Sequence, residues 1–170
     1  MTETPDAMLR VDQAGEFGAT RIYAGQMAVL GDRHPIARTI ARMAAQEERH
    51  RLRFDRMIAE RGVRPTALHP LWNAAGFALG AATALIGPKA AMACTAAIET
   101  EIDRHYEEQL TALGNTDPEL SEVIAEFQAE EVEHRDTAIA QGAEQAPVYP
   151  LLSAAIRLGC RAAIGLSKRI

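Results

Sequence analysis

The sequence predicts an all-α protein: a four-helix bundle made of two helical hairpins joined by a long crossover, with additional apolar helical segments. Three observations carry this expectation. Hydrophobic residues make up 48% of the chain but aromatic ones only 5%, with alanine abundant, a balance that favours packed helices over sheet. Apolar residues recur at steps of three and four along several long segments. Glycine and proline punctuate those segments where helices would stop and start. At 170 residues the chain can bury a real core, and residues 1–170 are expected to form a single domain.

A first helix is expected from about Leu9 to Leu30, stopping at Gly31, and a second from near Pro35 to Arg61, ending at Gly62. Gly62 to Pro88 is a long connection that holds Pro65, Pro70 and an Ala/Gly-rich apolar piece expected to be helical. A third helix takes Lys89 to Leu113 and ends at Gly114. Asp117-Pro118 pairs an N-cap with proline at the first helical position, opening a fourth helix that ends near Gly142. After Pro147 and Pro150 a last helix takes Leu151 to Ser167. Short links within each pair make antiparallel hairpins, and one long crossover between two hairpins is the ferritin-like arrangement.

The formal net charge of −5 and the lack of a dominant basic stripe exclude nucleic acid as an expected partner. Cys94 and Cys160 lie in apolar segments and are read as unpaired core thiols rather than a disulfide. Met1 to Asp12 is polar and acidic, unlike a secretory signal or an arginine-rich transit peptide, so a bacterial or already processed chain is expected. Leu71 to Pro88 carries no charge over eighteen residues, the short end of what spans a bilayer, but Gly76, Gly80 and Gly87 weaken it as a spanning helix.

Two of the five histidines follow a glutamate by three residues: Glu47-Glu48-Arg49-His50 and Glu131-Val132-Glu133-His134. On a helix, residues three apart share a face, so carboxylate and imidazole can reach one ion. With sixteen glutamates in the chain, that spacing alone decides little. The seams around them decide more. Ile40, Met43, Glu47, His50, Phe54, Met57 step by three and four, as do Leu120, Ile124, Phe127, Glu131, His134, Ala138. Glu and His therefore sit among core positions, where an unpaired carboxylate is strongly disfavoured and must be neutralised, paired or metal-bound.

The other two helices supply matching acids. Glu16 shares a stripe with Tyr23, Met27 and Leu30, and Glu99 shares one with Tyr106, Leu110 and Leu113, at identical offsets. The chain thus reads as two copies of one hairpin, each with a lone Glu and then Glu-x-x-His. That is the ligand set of di-iron and di-manganese carboxylate bundles. Four glutamates also balance two divalent ions, and mixed oxygen and imidazole donors suit iron or manganese better than zinc.

Several residues stay outside this set. Arg51 and Arg135 follow the histidines, point off the seams and are read as solvated, while Glu48, Glu130 and Glu133 are read as surface or rim charges. Tyr23 and Tyr106 are either core packing or hydrogen-bond donors to the site. Asp12 is either a helix-start residue or the acceptor for a ligand histidine N–H. His34 and His69 read as loop residues, and His105 has no matching spacing.

Val11-Asp12-Gln13-Ala14-Gly15-Glu16-Phe17-Gly18-Ala19 and Arg21-Ile22-Tyr23-Ala24-Gly25-Gln26 resemble the demethoxyubiquinol hydroxylase family of ubiquinone biosynthesis. So do Arg64-Pro65-Thr66, Pro70-Leu71-Trp72-Asn73, Gly76-Phe77-Ala78-Leu79-Gly80-Ala81 and Ala91-Met92-Ala93-Cys94-Thr95, and the likeness runs from about Leu9 to the C-terminus. The resemblance implies a membrane-associated di-iron monooxygenase with two Fe ions per chain and O2 as co-substrate. It would hydroxylate the ring of a polyprenylated methoxy-methyl-benzoquinol, with electrons from NADH or from the quinol itself. It implies Glu16, Glu47 and His50 as ligands of one iron, Glu99, Glu131 and His134 as ligands of the other, and Glu47 and Glu131 as the bridging pair. The implied place is the cytoplasmic face of a bacterial inner membrane, or the matrix side of the mitochondrial one for a processed chain. Candidate protein partners are a second copy of the chain or an accessory lipid-binding protein.

Segments near 71–88 and 151–170 are the expected membrane-facing surfaces, the latter mixing apolar residues with Arg157, Arg161, Lys168 and Arg169. A fifth core helix with exposed arginines reads equally well. A ferritin-like iron-handling or ferroxidase bundle is the alternative function, although it needs neither apolar segment.

Overall fold

Thr4 and Pro5 open the first helix a turn earlier than the periodicity suggests: the Thr4 hydroxyl accepts from the Ala7 N–H, and proline takes a first-turn position. The structure is a computed structural model that describes residues 4–169. Its helices are α1 (Pro5–Leu30), α2 (Ala37–Arg61), α3 (His69–Ile86), α4 (Pro88–Leu113), α5 (Pro118–Ala140) and α6 (Tyr149–Ser167), with a 3₁₀ turn at Ala143–Gln145. No strand occurs among the described residues. Asp117 caps α5 as expected, accepting from the Leu120 N–H. The starts of α2 and α6 differ by two residues from expectation, because Pro35-Ile36 completes a turn and Tyr149-Pro150 already belongs to α6.

Helices α1 and α2 form one antiparallel hairpin and α4 and α5 the other. One apolar layer joins Met8 and Leu9 to Phe54, Met57, Tyr106, Leu120 and Ile124. A second layer joins Tyr23 to Ile36, Ile40, Met43, Ala93, Ala96 and Ala138. The predicted polar seam residues lie between these two layers.

The long connection is mostly α3, which packs along α1, while α6 packs along α4. The α1–α3 contact is backbone against backbone. A Cβ at Gly80 would lie 1.9 Å from the Ile22 carbonyl oxygen, and one at Gly25 would lie 2.2 Å from that of Phe77. Only glycine admits this approach. Among the described residues no helix is long and apolar enough to cross a membrane. Large apolar side chains are nevertheless exposed on both added helices, with Leu85 at 74% and Leu151 at 71%.

Candidate metal centre

Glu16 on α1, Glu47 and His50 on α2, Glu99 on α4, and Glu131 and His134 on α5 meet in the core, none more than 3% exposed. All six predicted residues are thus brought together. One donor atom from each of Glu16, Glu47, His50 and Glu131 lies within 4.8 Å of the others, as does one from each of Glu47, Glu99, Glu131 and His134. Glu47 and Glu131 belong to both groups.

Glu16 Oε2, Glu47 Oε1, Glu131 Oε1 and His50 Nδ1 are buried without a hydrogen-bond partner. His50 Nδ1 lies 3.0 Å from Glu131 and 3.3 Å from Glu16, but these approaches lack hydrogen-bond alignment. Buried polar atoms are seldom left unsatisfied, and inward-facing orphans from three helices are what a pair of cations would complete. The donor set fits two metal ions.

The histidines are held from behind. His50 Nε2 lies 3.1 Å from Glu130 Oε2, and His134 Nε2 lies 3.1 Å from Gln46 Oε1. Gln46 Nε2 donates to Glu130 at 2.9 Å, which fixes its amide with the oxygen toward His134. Each Nε2 therefore donates outward, and each Nδ1 is turned into the cluster, protonated while no metal is bound and able to bind one once that proton leaves. Glu130, read from sequence as a rim charge, and Gln46 take the role considered for Asp12. The signal available was position: each stands one residue before a ligand-candidate Glu.

The tyrosines act as donors, each across the bundle. Tyr23 donates to Glu99 at 3.2 Å, and Tyr106 donates to Glu16. Burial, then the facing carboxylates, pushes both phenols well above their usual pKa, so they stay protonated.

Metal-free, the cluster retains protons. Burial foremost raises Glu16, Glu47 and Glu99, reinforced by carboxylate repulsion. Burial would depress the histidines, but the facing carboxylates outweigh it and raise His50 to about 10 and His134 to about 9. Burial would likewise raise Glu131, yet the hydrogen bond to His134 and the cationic His50 beside it prevail and lower it to about 2.

Other residues correct the sequence reading. Asp12 accepts from Gln109 Nε2 at 2.8 Å and lies 3.5 Å from His105 Nε2, forming a buried polar group beside Glu16. His69 is the first residue of α3 rather than a loop residue; it stacks on Phe17 and bonds Gln13. Arg51 and Arg135 are not simply solvated. Arg51 pairs with Glu48 and Asp55, and Arg135 with Asp103 and Asp136, at about a quarter exposure. Arg157 and Arg161 reach Glu101 on α4 at 2.6 and 3.2 Å, and Glu101 is fully buried. They dock α6 instead of forming a free basic face, and they are half-exposed. Both cysteines are free; Cys94 is buried and Cys160 lines a cavity rather than filling the core.

That cavity, about 550 Å³, runs between α1, α3, α4 and α6 and is lined almost wholly by apolar groups. A small cavity of about 30 Å³ lies against Glu16, Glu47, Glu99 and Glu131. The two share Val11, Gly15, Ala19, Ile98, Ile102 and Ile164 as walls.

Two hairpins, a crossover and a buried carboxylate–histidine cluster define a ferritin-like helical bundle with a core site that could hold metal. The chain belongs to the ubiquinone biosynthesis protein COQ7 family, whose model matches residues 3–167. It is 55% identical over 165 residues to a 3-demethoxyubiquinol 3-hydroxylase of Rhodospirillum rubrum, covering 97% of this chain and 78% of that one. It is 50% identical over 169 residues to the human NADPH-dependent 3-demethoxyubiquinone 3-hydroxylase, mitochondrial, covering 97% and 77%. With the yeast 5-demethoxyubiquinone hydroxylase, mitochondrial, it shares 43% over 181 residues, covering 97% and 78%.

Proposed function

We propose that this chain is a di-iron, O2-dependent hydroxylase acting on the ring of a polyprenylated methoxy-methyl-benzoquinol in ubiquinone biosynthesis. One observation carries the reading: the carboxylate–histidine cluster shares walls with a large apolar cavity. A ferroxidase has no use for such a cavity, and the relatives named above are hydroxylases.

Two iron ions held by Glu16, Glu47, His50, Glu99, Glu131 and His134 would supply dioxygen activation, with two electrons and two protons consumed, one oxygen entering the ring and the other leaving as water. The chain's own residues do the rest. The apolar walls on α1, α3, α4 and α6 receive the prenyl tail and keep bulk water from the reacting ring. Val11, Gly15, Ile98 and Ile102 guide the ring toward the small cavity. Tyr23 and Tyr106 hold Glu99 and Glu16 in place by hydrogen bonds. The NADPH in the human relative's name supports a reduced nicotinamide nucleotide as the electron source over the quinol itself. Exposed Leu71, Leu85, Ile86, Leu151 and Leu158 support peripheral contact with a bilayer, in bacteria at the cytoplasmic face of the inner membrane.

The test is isotopic. Labelled dioxygen should place one labelled oxygen on the ring of a demethoxyubiquinol analogue, and His134→Ala should abolish it. Label drawn from water, or iron oxidised while the quinol stays untouched, would overturn the assignment.

A further inference from the structure

We infer that Glu130 and Gln46 make the two metal positions chemically unequal, with the ion served by His50 the more electron-rich. The inference rests on the dinuclear reading above and goes beyond it, because six symmetric ligands give no reason for the two ions to differ.

The asymmetry lies one layer behind the ligands. Each hairpin contributes a lone Glu, a Tyr seven residues on, and Glu-x-x-His. The residue just before each motif breaks that repeat: Gln46 in the first hairpin, Glu130 in the second. Each crosses to the other hairpin's histidine at the same distance, 3.1 Å from Nε2. His50 thus has a carboxylate behind it and His134 a neutral amide oxygen. A carboxylate draws the Nε2 proton more strongly, pushes electron density through the ring to Nδ1 and makes that imidazole the stronger donor. An amide carbonyl does this far less. Arg49 also reaches Glu130, at 2.9 and 3.0 Å, but its side chain is 56% exposed and water screens its charge.

Phe127 adds a second difference, since its ring stacks on His50 at 3.9 Å between centroids and holds the imidazole plane. Glu130 and Gln46 are therefore positioning residues, acting on the ions only through the histidines.

Glu130→Gln tests this with little disturbance. The new amide oxygen can still accept from His50 and Gln46, so geometry is kept while the charge is removed. The full chain, loaded anaerobically with ⁵⁷Fe(II), should bind two ions and show two Mössbauer doublets of equal area. In E130Q the doublets should converge, and equilibrium Fe(II) titration should show one of the two ions bound about 10- to 100-fold more weakly. Arg49→Gln, a change at an exposed and water-screened side chain, should leave both doublets and both affinities near their wild-type values. Two ions bound with the same spectra and affinities in wild type, E130Q and R49Q would overturn the inference and leave the metal reading standing. A wild-type chain that takes up no iron would sink both.

Discussion

Glu47 and Glu48 are neighbours in the chain, yet they differ in everything that decides whether a carboxylate serves a metal. Glu47 is 1% exposed and shares its seam with His50, and burial raises its pKa well above normal. Glu48 is exposed and lies 2.6 Å from Arg51, whose hydrogen bond lowers its pKa. Glu47→Ala should therefore cost at least tenfold in Fe(II) affinity, and Glu48→Ala less than twofold, as read by anaerobic titration. Equal losses would mean that the cluster is not the binding site. At this scale the spacing, the apolar seams around it and the repeat of the hairpin together exposed the six cluster residues, because i, i+3 neighbours on an apolar seam share a face. The same spacing left open whether the tyrosines donate, and it missed His105, Gln46 and the hold of Glu130 on His50. The contacts of Glu130 and Gln46 with the histidines join residues 80 or more positions apart, His50 with Glu130 and Gln46 with His134, and no periodicity within one helix records them.

At the scale of elements, α3 and α6 are the additions to the four-helix frame, and each is docked differently. Helix α3 lies against α1 through glycines, so size is the constraint. Gly80→Ala would drive a methyl into the Ile22 carbonyl, and neither backbone can yield without shifting the helix. The expected loss is about 1–3 kcal/mol, the range for overpacking. Gly165→Ala on α6 meets nothing within 4 Å and should instead gain about 0.5–1 kcal/mol from helix propensity. Thermal or urea unfolding of the two variants should thus move in opposite directions; a shared sign would argue against the close α1–α3 approach. Helix α6 is docked by charge, with Arg157 and Arg161 converging on buried Glu101. From sequence those arginines read equally as a membrane-binding face or as the exposed side of a core helix. The partner that places them, Glu101, lies two residues from Glu99 and has no motif of its own.

Over the whole molecule, the cluster ties stability to pH. In the metal-free chain His50 and His134 rise from 6.5 to about 10 and about 9. A group whose pKa is higher folded than unfolded stabilises fully below its unfolded value and stops doing so as pH rises through the folded one. Metal-free protein should therefore lose stability steadily between pH 6.5 and 10, as the cations facing Glu16, Glu47 and Glu131 disappear. Glu131, lowered from 4.5 to about 2, contributes the opposite trend only at acid pH. Iron-loaded protein should show no such decline, because bound ligands must be deprotonated and the ions replace the protons. Urea midpoints of both forms across that window provide the check, and parallel curves would contradict the arrangement.

The apolar outer faces make a separate prediction for the molecule as a whole. Leu151 and Leu158 are 71% and 66% exposed, so replacing both with Glu should leave the unfolding midpoint nearly unchanged. Binding to vesicles containing anionic lipid should fall at least tenfold, since each leucine inserted contributes about 1.5–3 kcal/mol. Charge reversal at Arg157 and Arg161 is the poorer probe, because it would also set two like charges against buried Glu101 and leave it paired only with Arg104 among these arginines.

The amino-acid sequence by itself determined the helical class, the pairing of helices into hairpins, and the face of each helix that carries Glu or His. Those properties follow from the 3.6-residue period, from capping residues and from link lengths, all of which are local. Only the tertiary structure decided which side chains stand behind the histidines, where α3 and α6 lie, and that an apolar cavity shares walls with the small one against the carboxylates. These depend on how separate helices are set against one another. That setting comes from a backbone contact at Gly80 and Gly25 and from a buried charge at Glu101, neither of which leaves a period in the chain.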